Sequence, residues 1–480
     1  MATNQASLLS PKIKAGLCYL VASFLFALLF MPKVGLASGL TAYEQGQPSI
    51  GTANVGQAAY AEDASIAYYN PAGMTHLDRS EVLLGSQLMV YTAKFKTDGN
   101  ISNAYTGNDG GNAGMVLPGG GFYYVQKLFN GRAAAGFALN APAGFGLDYD
   151  NGWKGRYNVQ STMLAVANIN PSLAYKVNDW LSVGAGMSVY YAIAKNQMAI
   201  FNPPSVGFPP LTTDPQPDGT MRVTATDWRV GYNLGILLEP KKGTRIGVAY
   251  RSQTEFVLKG KAQLDHLSDF YTSRGVSNRP NLAITLPIAR SIIVSGYHDF
   301  TPKWAGLAEV GWQNWSCFNH QMIHGNNTTV DINEDWKDTY RLGLGAHYRP
   351  IERLLLKAGF SYDSDPSSLA NRMPNLPAAE QWRYATGFDW DLNKNMVISL
   401  NYEFVDLGKA RIDKDIQPIV VDPGPGPIIK PREIFPGRQF DGTYNQFINC
   451  VGISFRWKFG KGEKDSKKEK PESTASAVRI

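Results

Sequence analysis

Charged residues, cysteines and long apolar runs are all scarce in this sequence of 480 residues. Charged residues make up only 18% of the chain, a low share for a protein whose whole surface contacts water. Three cysteines are too few for a disulfide framework, and the six histidines are scattered without the spacing of metal ligands. Beyond residue 31, no apolar run reaches the roughly 20 residues of a membrane-spanning helix. Any membrane crossing by the rest of the chain would therefore be made by strands.

Glycine and aromatic residues are abundant, with 48 Gly, 24 Tyr, 22 Phe and 10 Trp. The segment LSVGAGMSVYY at 181–191 alternates apolar residues with small or polar ones, and this period of two predicts a strand with one apolar face. The same alternation occurs in VGISFRWKF at 451–459, where Arg456 and Lys458 share the polar face. Buried charges would be costly in a dry core but not in a polar lumen. We therefore predict that the apolar faces contact lipid and the polar faces line a barrel.

Residues 1–37 have the features of a secretory signal peptide. A basic segment with Lys12 and Lys14 precedes the apolar residues 15–31, and a small-residue cleavage site ends at Ala37. Because the apolar run is long for a signal, an uncleaved anchor helix is the alternative. Cleavage would remove three lysines and no acid, lowering the net charge from +6 to +3. A chain so close to neutral is a poor partner for nucleic acid.

Fourteen segments with strand alternation follow one another, joined by short and long connections in turn. Short turns at one rim and long loops at the other are typical of an outer-membrane β-barrel. We therefore predict an all-β fold, a 14-stranded antiparallel transmembrane β-barrel; the alternative is a secreted soluble β-sandwich or propeller. The predicted strands are 80–97, 115–128, 132–142, 159–177, 180–197, 219–239, 243–261, 281–299, 303–319, 336–350, 352–364, 379–392, 395–410 and 440–459.

Two segments lie outside this barrel of residues 80–459. Residues 38–79 are rich in glycine, alanine and small polar residues, and a segment of this size can fold inside the lumen as a hatch. Residues 460–480 are polar and charged without an apolar face, which predicts a disordered periplasmic tail. Within the first segment, Asn70 and Pro71 are a turn signal, which taken alone favours a simple turn between the hatch and the first strand.

The N-terminal stretch SGLTAYEQGQPSIGTANVGQAAYAEDASIAYYNPAGM, which begins at Ser38, resembles the hatch of the FadL/TodX (OmpP1) family. These are outer-membrane transporters of long-chain fatty acids and other hydrophobic compounds. Later stretches, WRVGYNLGILLEP and WKDTYRLGLGAHYR among them, are similar to the family's strands, so that the resemblance covers nearly all of residues 38–459. It implies passive diffusion without a cofactor in the bacterial outer membrane. It also implies capture of the ligand by apolar extracellular loops and release through a kinked third strand.

Two long loops carry apolar residues where exposed loops are normally polar. A long acyl chain gains about 0.8 kcal/mol per buried CH₂, so loops that capture it should be apolar. We predict these two loops as the capture site; the alternative is a self-packed loop cluster without a ligand. The predicted capture residues are Ile200, Phe201, Val206, Phe208, Leu211, Leu264, Leu267, Phe270 and Tyr271.

The gate is predicted where the hatch meets the third strand. The small residues and Gly136 of RAAAGFALNAP, with Pro142 at its end, suit a kinked and weakly paired wall. We expect Asn70 and Pro71 to hold this kink by lying near Gly136 and Asn140. The predicted hatch and gate residues are Leu40, Asn70, Pro71, Ala72, Gly136 and Asn140.

Basic residues that meet a ligand carboxylate, as in the family, are harder to place. Lys195, Lys337 and Arg341 are the candidates, with surface or lumen ion pairing as the alternative role. Aromatic or other neutral hydrocarbons therefore remain an alternative substrate class to fatty acids. A less favoured hypothesis is that the protein is a general diffusion porin. No GxSxG or histidine pattern points to an enzyme, and we predict no metal. The expected partners are a hydrophobic small molecule, outer-membrane lipid and the barrel-assembly machinery. That machinery recognises a terminal aromatic residue, which is Phe459 here. The protein is expected to be a monomer.

Overall fold

The computed structural model describes residues 41–98, 106–202, 217–273, 275–325, 329–415 and 439–460. Fourteen antiparallel strands in these residues form one sheet, and four of the strands consist of two segments. The strands are β1 (Ser80–Thr97), β2 (Val116–Leu128), β3 (Ala133–Asp148), β4 (Ser161–Lys176), β5 (Leu181–Ile200), β6 (Gly219–Lys241), β7a (Thr244–Arg251), β7b (Thr254–Asp265), β8a (Asn281–Ile288), β8b (Ser291–Asp299), β9a (Trp304–Gln313), β9b (His320–His324), β10a (Thr329–Asn333), β10b (Thr339–Ile351), β11 (Leu354–Asp363), β12 (Gln381–Asn393), β13 (Met396–Asp415) and β14 (Gln439–Phe459).

The sheet closes on itself. β1 pairs with β2 on one side and with β14 on the other, in a register from Ser80 opposite Phe459 to Thr97 opposite Gly442. Closure removes the unpaired edges that lipid would not tolerate, and it confirms the predicted 14-stranded antiparallel barrel. Short helical segments accompany the strands: α1 (Ile66–Tyr69), α2 (Asp269–Thr272) and the 3-10 helices Pro48–Thr52, Pro71–His76, Phe129–Gly131 and Trp315–Cys317.

The two faces of the strands are divided as the alternation predicts. On β14, Val451 and Ile453 are 49% and 54% exposed on the outer surface, whereas Ser454 and Arg456 are buried on the inner one. Among the described residues, no helix is long and apolar enough to cross a membrane. Both cysteines among the described residues, Cys317 and Cys450, are free thiols.

Some predicted strand boundaries were wrong. The third strand does not end at residue 142: β3 continues to Asp148, because pairing with β4 resumes at Ala143 after an irregularity that begins at Asn140. The ninth strand is not continuous either, because Trp315 and Phe318 leave the wall and turn inward into an apolar cluster.

Residues 41–79 lie in the lumen and are mostly buried. We call them the hatch. Side chains from the barrel wall donate hydrogen bonds to hatch carbonyls: Arg341 to Ala53 at 2.7 Å and Lys357 to Pro48 at 2.8 Å. The signal peptide at 1–37, the first hatch residues 38–40 and all but the first residue of the predicted tail 460–480 lie outside the described residues, so those domain boundaries stay predictions.

Buried ion pairs hold the hatch to the wall. Arg341 contacts Glu309 at 3.0 Å and Asp363 at 2.7 Å. Arg383 also contacts Asp363, at 2.5 Å, and it reaches Glu44 of the hatch at 3.2 Å. Charges buried this deeply are tolerated only because each one is paired.

Tyr43 of the hatch lies inside the same network. Its ring centroid is 4.1 Å from the Arg341 guanidinium, and its hydroxyl donates to Asp363 at 3.2 Å. Burial, together with the Asp363 carboxylate, raises the pKa of Tyr43 well above its usual range. The hydroxyl therefore stays protonated and remains a hydrogen-bond donor at any pH near neutral.

Replacing Arg341 by methionine should destabilise the barrel by about 3–5 kcal/mol, because the Glu309 carboxylate would be left buried without its cation. The loss of stability is measured as a change in the free energy of unfolding in urea. Folded and unfolded barrel are distinguished by their mobility on gels. Arg349→Met is the matched control, since Arg349 is more exposed and lies 3.9 Å from Asp391; it should cost less than about 1 kcal/mol. Equal losses in the two variants would contradict a structural role for the buried network.

Candidate functional site: a cavity beside a gap in the wall

The wall of the barrel is interrupted between β2 and β3. The two strands pair from Leu128 opposite Ala133 to Phe122 opposite Leu139, and the pairing then ends. Among the described residues, backbone contact returns where the Asp148 N–H donates to the Ala113 carbonyl at 2.9 Å, ahead of the start of β2. We call the gap between residues 116–121 and 140–147 the wall window.

Each edge of the wall window keeps its pairing on the side away from the gap. Residues 116–121 of β2 pair with β1, and residues 143–147 of β3 pair with β4. Pro142 has no N–H to donate to a ladder, and the register of β3 shifts between Asn140 and Ala143. The structure thus shows a register irregularity next to Pro142, in the strand whose sequence predicts a kink, and the kink itself stays a prediction.

The beginning of the hatch lies against the wall window. Thr41 forms an isolated antiparallel bridge with Ala143, and the Ala42 N–H donates to the Pro142 carbonyl at 2.9 Å. The Asn140 amide donates to the Gln45 side chain at 2.5 Å. At the wall window, the hatch thus supplies hydrogen-bond partners to β3 that β2 does not supply.

The turn at Asn70 and Pro71 lies elsewhere, so its predicted position against the third strand was wrong. The Asn70 amide donates to the carbonyls of Ala58 at 2.7 Å and of Ile236 in β6 at 2.9 Å. A Cβ added at Gly235 would overlap the Asn70 side-chain oxygen. The physical reason is that Pro71 starts a 3-10 helix that packs mainly on β4, β5 and β6.

The other predicted residues of this turn are accounted for by local structure. Asn70 caps the 3-10 helix by accepting a hydrogen bond from the Ala72 N–H at 3.2 Å, and Ala72 is fully buried. Gly136 of β3 faces Met74 and Ala67 instead, since a Cβ there would meet both side chains. Leu40 lies outside the described residues.

A cavity of about 830 Å³, counting its open mouth, lies between the hatch, the wall window and the β7–β8 wall. It reaches from Pro142 and Ala143 at the wall window to Arg251 and Thr254 at β7. Its lining is mostly apolar or aromatic, with hydroxyl and amide groups between. The remaining lining residues include Thr41, Tyr43, Gln45, Gln57, Tyr68, Tyr69, Val166, Tyr190, Ser252, Phe256, Ile288 and Gln313.

Arg251 is the one charged residue among the described residues that line the cavity. Its guanidinium donates to the Tyr68 carbonyl at 2.7 Å and, more weakly, to Ser188 and Tyr190 at 3.4 Å. It stacks over the Tyr68 ring with 3.8 Å to the centroid. All these partners are neutral. The sequence analysis missed Arg251, although the alternation of RIGVAYR places it on the same face as Arg245, which is buried in the lumen.

The structure does not bring the three predicted bases to the cavity. Lys195 is exposed, on the outward face of β5, because the inward face carries the buried Tyr190 and Ala192. Lys337 is exposed ahead of β10b. Arg341 is buried but does not line the cavity, and its charge is already compensated by two carboxylates.

The described capture residues lie close together above the cavity. Ile200, Leu264 and Tyr271 are buried in one apolar cluster, with Leu267 packed against it. Tyr271 joins the two loops by donating its hydroxyl hydrogen to the Phe201 carbonyl at 2.8 Å, and burial raises the pKa of Tyr271 to about 12, so that it remains a donor. The side chains of three loop residues and of one helical residue lie outside the described structure: Val206, Phe208, Leu211 and Phe270.

Comparison with known proteins gives one family. The sequence model of "Outer membrane protein transport protein (OMPP1/FadL/TodX)" matches residues 28–459. The chain is 24% identical to a long-chain fatty acid transport protein of Salmonella typhi, over 79% of this chain and 89% of that one. It is 25% identical to outer membrane protein P1 of Haemophilus influenzae, over 78% and 87%.

Solved structures show the same fold. A FadL homologue of Pseudomonas aeruginosa superposes with a TM-score of 0.76 at 22% identity, covering 88% of this chain and 100% of that one. The toluene transporter TbuX of Ralstonia pickettii gives a TM-score of 0.60 at 18% identity, with 88% and 100% covered.

Proposed function

The chain belongs to the FadL/TodX family of outer-membrane transport proteins, which are not enzymes, and on that premise we propose that it takes up long-chain fatty acids passively. Apolar extracellular loops capture the ligand, the cavity holds it, and the wall window releases it sideways into the membrane. One observation carries the proposal: the β2–β3 ladder is interrupted beside the cavity, and the start of the hatch lies in that interruption.

Capture and cavity share one apolar lining. Ile200, Leu264 and Tyr271 belong to the same buried cluster as the cavity residues Val166 and Phe256. A hydrocarbon chain that enters at the loops can therefore reach the cavity without leaving apolar surroundings. Each CH₂ kept out of water along this path saves about 0.8 kcal/mol.

Sideways release follows from the same energetics. An unpaired backbone group facing hydrocarbon costs several kcal/mol, so an interrupted ladder persists only if something else pairs it. The hatch does so at Thr41, which bridges to Ala143, and at Ala42, whose N–H donates to the Pro142 carbonyl. Because a short N-terminal segment supplies these bonds, a small shift of that segment would open the wall window for an alkyl chain.

Neutral hydrocarbons are the second candidate, favoured by the fold shared with a protein named a toluene transporter. Arg251 in the cavity lining favours an acid instead, because a half-buried cation without a counter-ion among the described residues is stabilised by an anionic ligand.

Locking the hatch to the wall should block transport. In the double variant Thr41→Cys/Ala143→Cys, the two cysteines occupy directly opposed positions, which favours a disulfide under oxidising conditions. We expect oxidised protein to bind ¹⁴C-hexadecanoate but to take it up at less than about a tenth of the wild-type rate, because the hatch can no longer move away from the wall. A tenfold slower rate corresponds to an increase of about 1.4 kcal/mol in the activation free energy of transport.

Reductant should restore uptake in the double variant and change nothing in either single variant. Full uptake through the oxidised protein would exclude movement of the hatch at the wall window from the transport route.

Loosening the capture cluster should weaken uptake at low ligand concentration. The double variant Phe201→Ser/Leu267→Ser should lose on the order of 1–2 kcal/mol of ligand-binding free energy for each side chain that contacts the ligand. The loss should appear as a raised half-saturation concentration for uptake with an unchanged maximal rate. Phe129→Ser, in a turn at the other rim and 80% exposed, is the control of matched chemistry. An unchanged half-saturation concentration in folded protein would mean that the loops only pack on themselves.

A lumen filled by the hatch distinguishes the proposed transporter from a general diffusion porin, whose lumen is open to water. The full-length protein should show little steady conductance in a planar bilayer, because hatch side chains occupy the lumen. Deletion of residues 38–72 should produce large open-channel currents. Equal and large conductance in both proteins would favour the porin.

A further inference from the structure

Four positively charged side chains lie on the outward face of three neighbouring strands, near the rim that carries the long loops. They are Lys195 of β5, Arg222 of β6, and Lys259 and Lys261 of β7b, and all four are exposed. They face outward because residues that alternate with them along the strands, such as Val223, are buried in the apolar cluster inside the barrel. We call these four residues the basic patch.

The strand register brings the basic patch together. Lys195 lies opposite Thr224 of β6, and Thr224 lies opposite Lys261, so the two lysines are two strand spacings, or about 10 Å, apart. Lys259 precedes Lys261 by two residues on the same face, about 7 Å along the strand, and Arg222 lies equally far from Thr224. These separations are comparable with the Debye length of about 8–10 Å at physiological ionic strength, so the charges act together on an anion.

The three lysines of the basic patch have no counter-ion in the part of the chain that the structure describes. Arg222 is paired with Asp265 at 2.7 Å, whereas no described carboxylate lies within 4 Å of any of the three lysines. Glu255, an exposed acid on β7b, lies four residues from Lys259, about 13 Å along the strand and beyond the Debye length. The basic patch therefore carries an excess of positive charge.

Next to the basic patch, the outward face of β6 becomes apolar. The rings of Trp228 and of Tyr191 on β5 lie 4.7 Å apart at the border. From Trp228 to Leu238 the strand advances ten residues, which at a tilt of about 40° is roughly 25 Å along the barrel axis, the height of the apolar band of an outer-membrane barrel. The outward residues between them are 42–64% exposed: Val230, Tyr232, Leu234 and Ile236. The aromatic pair therefore marks one boundary between lipid and water, and the basic patch lies just outside it.

The lengths of the connections identify the side of the membrane. Beyond the basic patch, β5 and β6 are joined by residues 201–218, whereas β6 and β7a are joined at the other rim by residues 242–243. The long loops of such barrels are extracellular. The basic patch thus lies at the level of the lipid headgroups in the outer leaflet.

We propose that the basic patch binds the phosphorylated sugar headgroup of an outer-leaflet glycolipid, the lipid A part of lipopolysaccharide. The phosphates contact the three lysines, which bind phosphate as point charges, and the acyl chains lie along the apolar face of β6 beside Trp228. A soluble anion would gain only from the charges, whereas this lipid gains from the basic patch and from the apolar band at once. The site is on the outer surface of the barrel and is separate from the cavity and its ligand.

Binding of purified lipid A to the full-length protein in detergent, titrated by native mass spectrometry, tests this proposal. The variant Lys195→Gln/Lys259→Gln/Lys261→Gln should bind bisphosphorylated lipid A about a hundredfold more weakly than wild type, since each lysine near an anionic lipid surface contributes about a factor of five. The variant Lys195→Arg/Lys259→Arg/Lys261→Arg keeps the charges and should bind as the wild type does. Gel mobility before and after heating shows that each variant is folded.

Two controls separate a local site from general charge and from apolar contact. Lys241→Gln/Lys242→Gln/Lys303→Gln removes three exposed positive charges from the other rim and should leave the affinity unchanged. Lipid A without its phosphates keeps the acyl chains but offers the lysines no charge. It should therefore bind equally weakly to wild type and to the glutamine variant of the basic patch.

The opposite results would overturn the proposal. Equal affinities of the two glutamine variants would exclude the basic patch as the site. Equal binding of phosphorylated and phosphate-free lipid A to wild type would leave only apolar contact with the strand face. If the glutamine variant of the basic patch loses uptake of ¹⁴C-hexadecanoate while its affinity for lipid A is unchanged, the lysines attract the transported ligand and do not bind the glycolipid.

Discussion

Pairing of backbone N–H and C=O groups in a lipid environment is the constraint on which the rest of this structure depends. Lipid offers no partner for these groups, so the strands must close, and β1 does pair with β14 along its whole length. Against that requirement, the interruption between β2 and β3 is costly unless another segment compensates. The hatch compensates at Thr41 and Ala42, and this couples the integrity of the wall to the position of the hatch.

The same constraint explains why the lumen is polar and charged. Outward positions that contact lipid must be apolar, so charged residues such as Arg341 and Arg383 are directed inward, where they pair with acidic residues of the wall or of the hatch. Arg341 and Arg383 share Asp363 and clamp Tyr43 between them. Such a network contributes little net free energy compared with an apolar core, but it fixes the hatch in one place. Arg251, whose hydrogen bonds go to neutral oxygens, lies outside this network of paired charges.

Breaks in the ladders and the location of the cavity coincide. The β2–β3 interruption forms one end of the cavity, and a break in the β6–β7 pairing, between Asn233 and Thr226 of β6, forms the other. The Thr254 hydroxyl, which lies in the β6–β7 break, has no hydrogen-bond partner among the described residues. Local loss of regular pairing is thus the source of the proposed exit and accompanies the end of the cavity at which Arg251 lies.

Alternation in single strands was enough to predict the barrel, its strand count and which face of each strand contacts lipid. The reason is that lipid on one side and a polar lumen on the other require apolar and polar residues to alternate along the strand. Pro142 likewise marked the irregularity in β3, since a missing N–H is a local property. The partner of Asn70 was not predictable, because it depends on how the 3-10 helix after it packs on β6. The difference between Arg341 and Arg251, two inward-facing arginines in strands of similar alternation, was not predictable either. Only the folded barrel decides that two carboxylates from adjacent strands reach Arg341 and that none of the described residues brings one to Arg251.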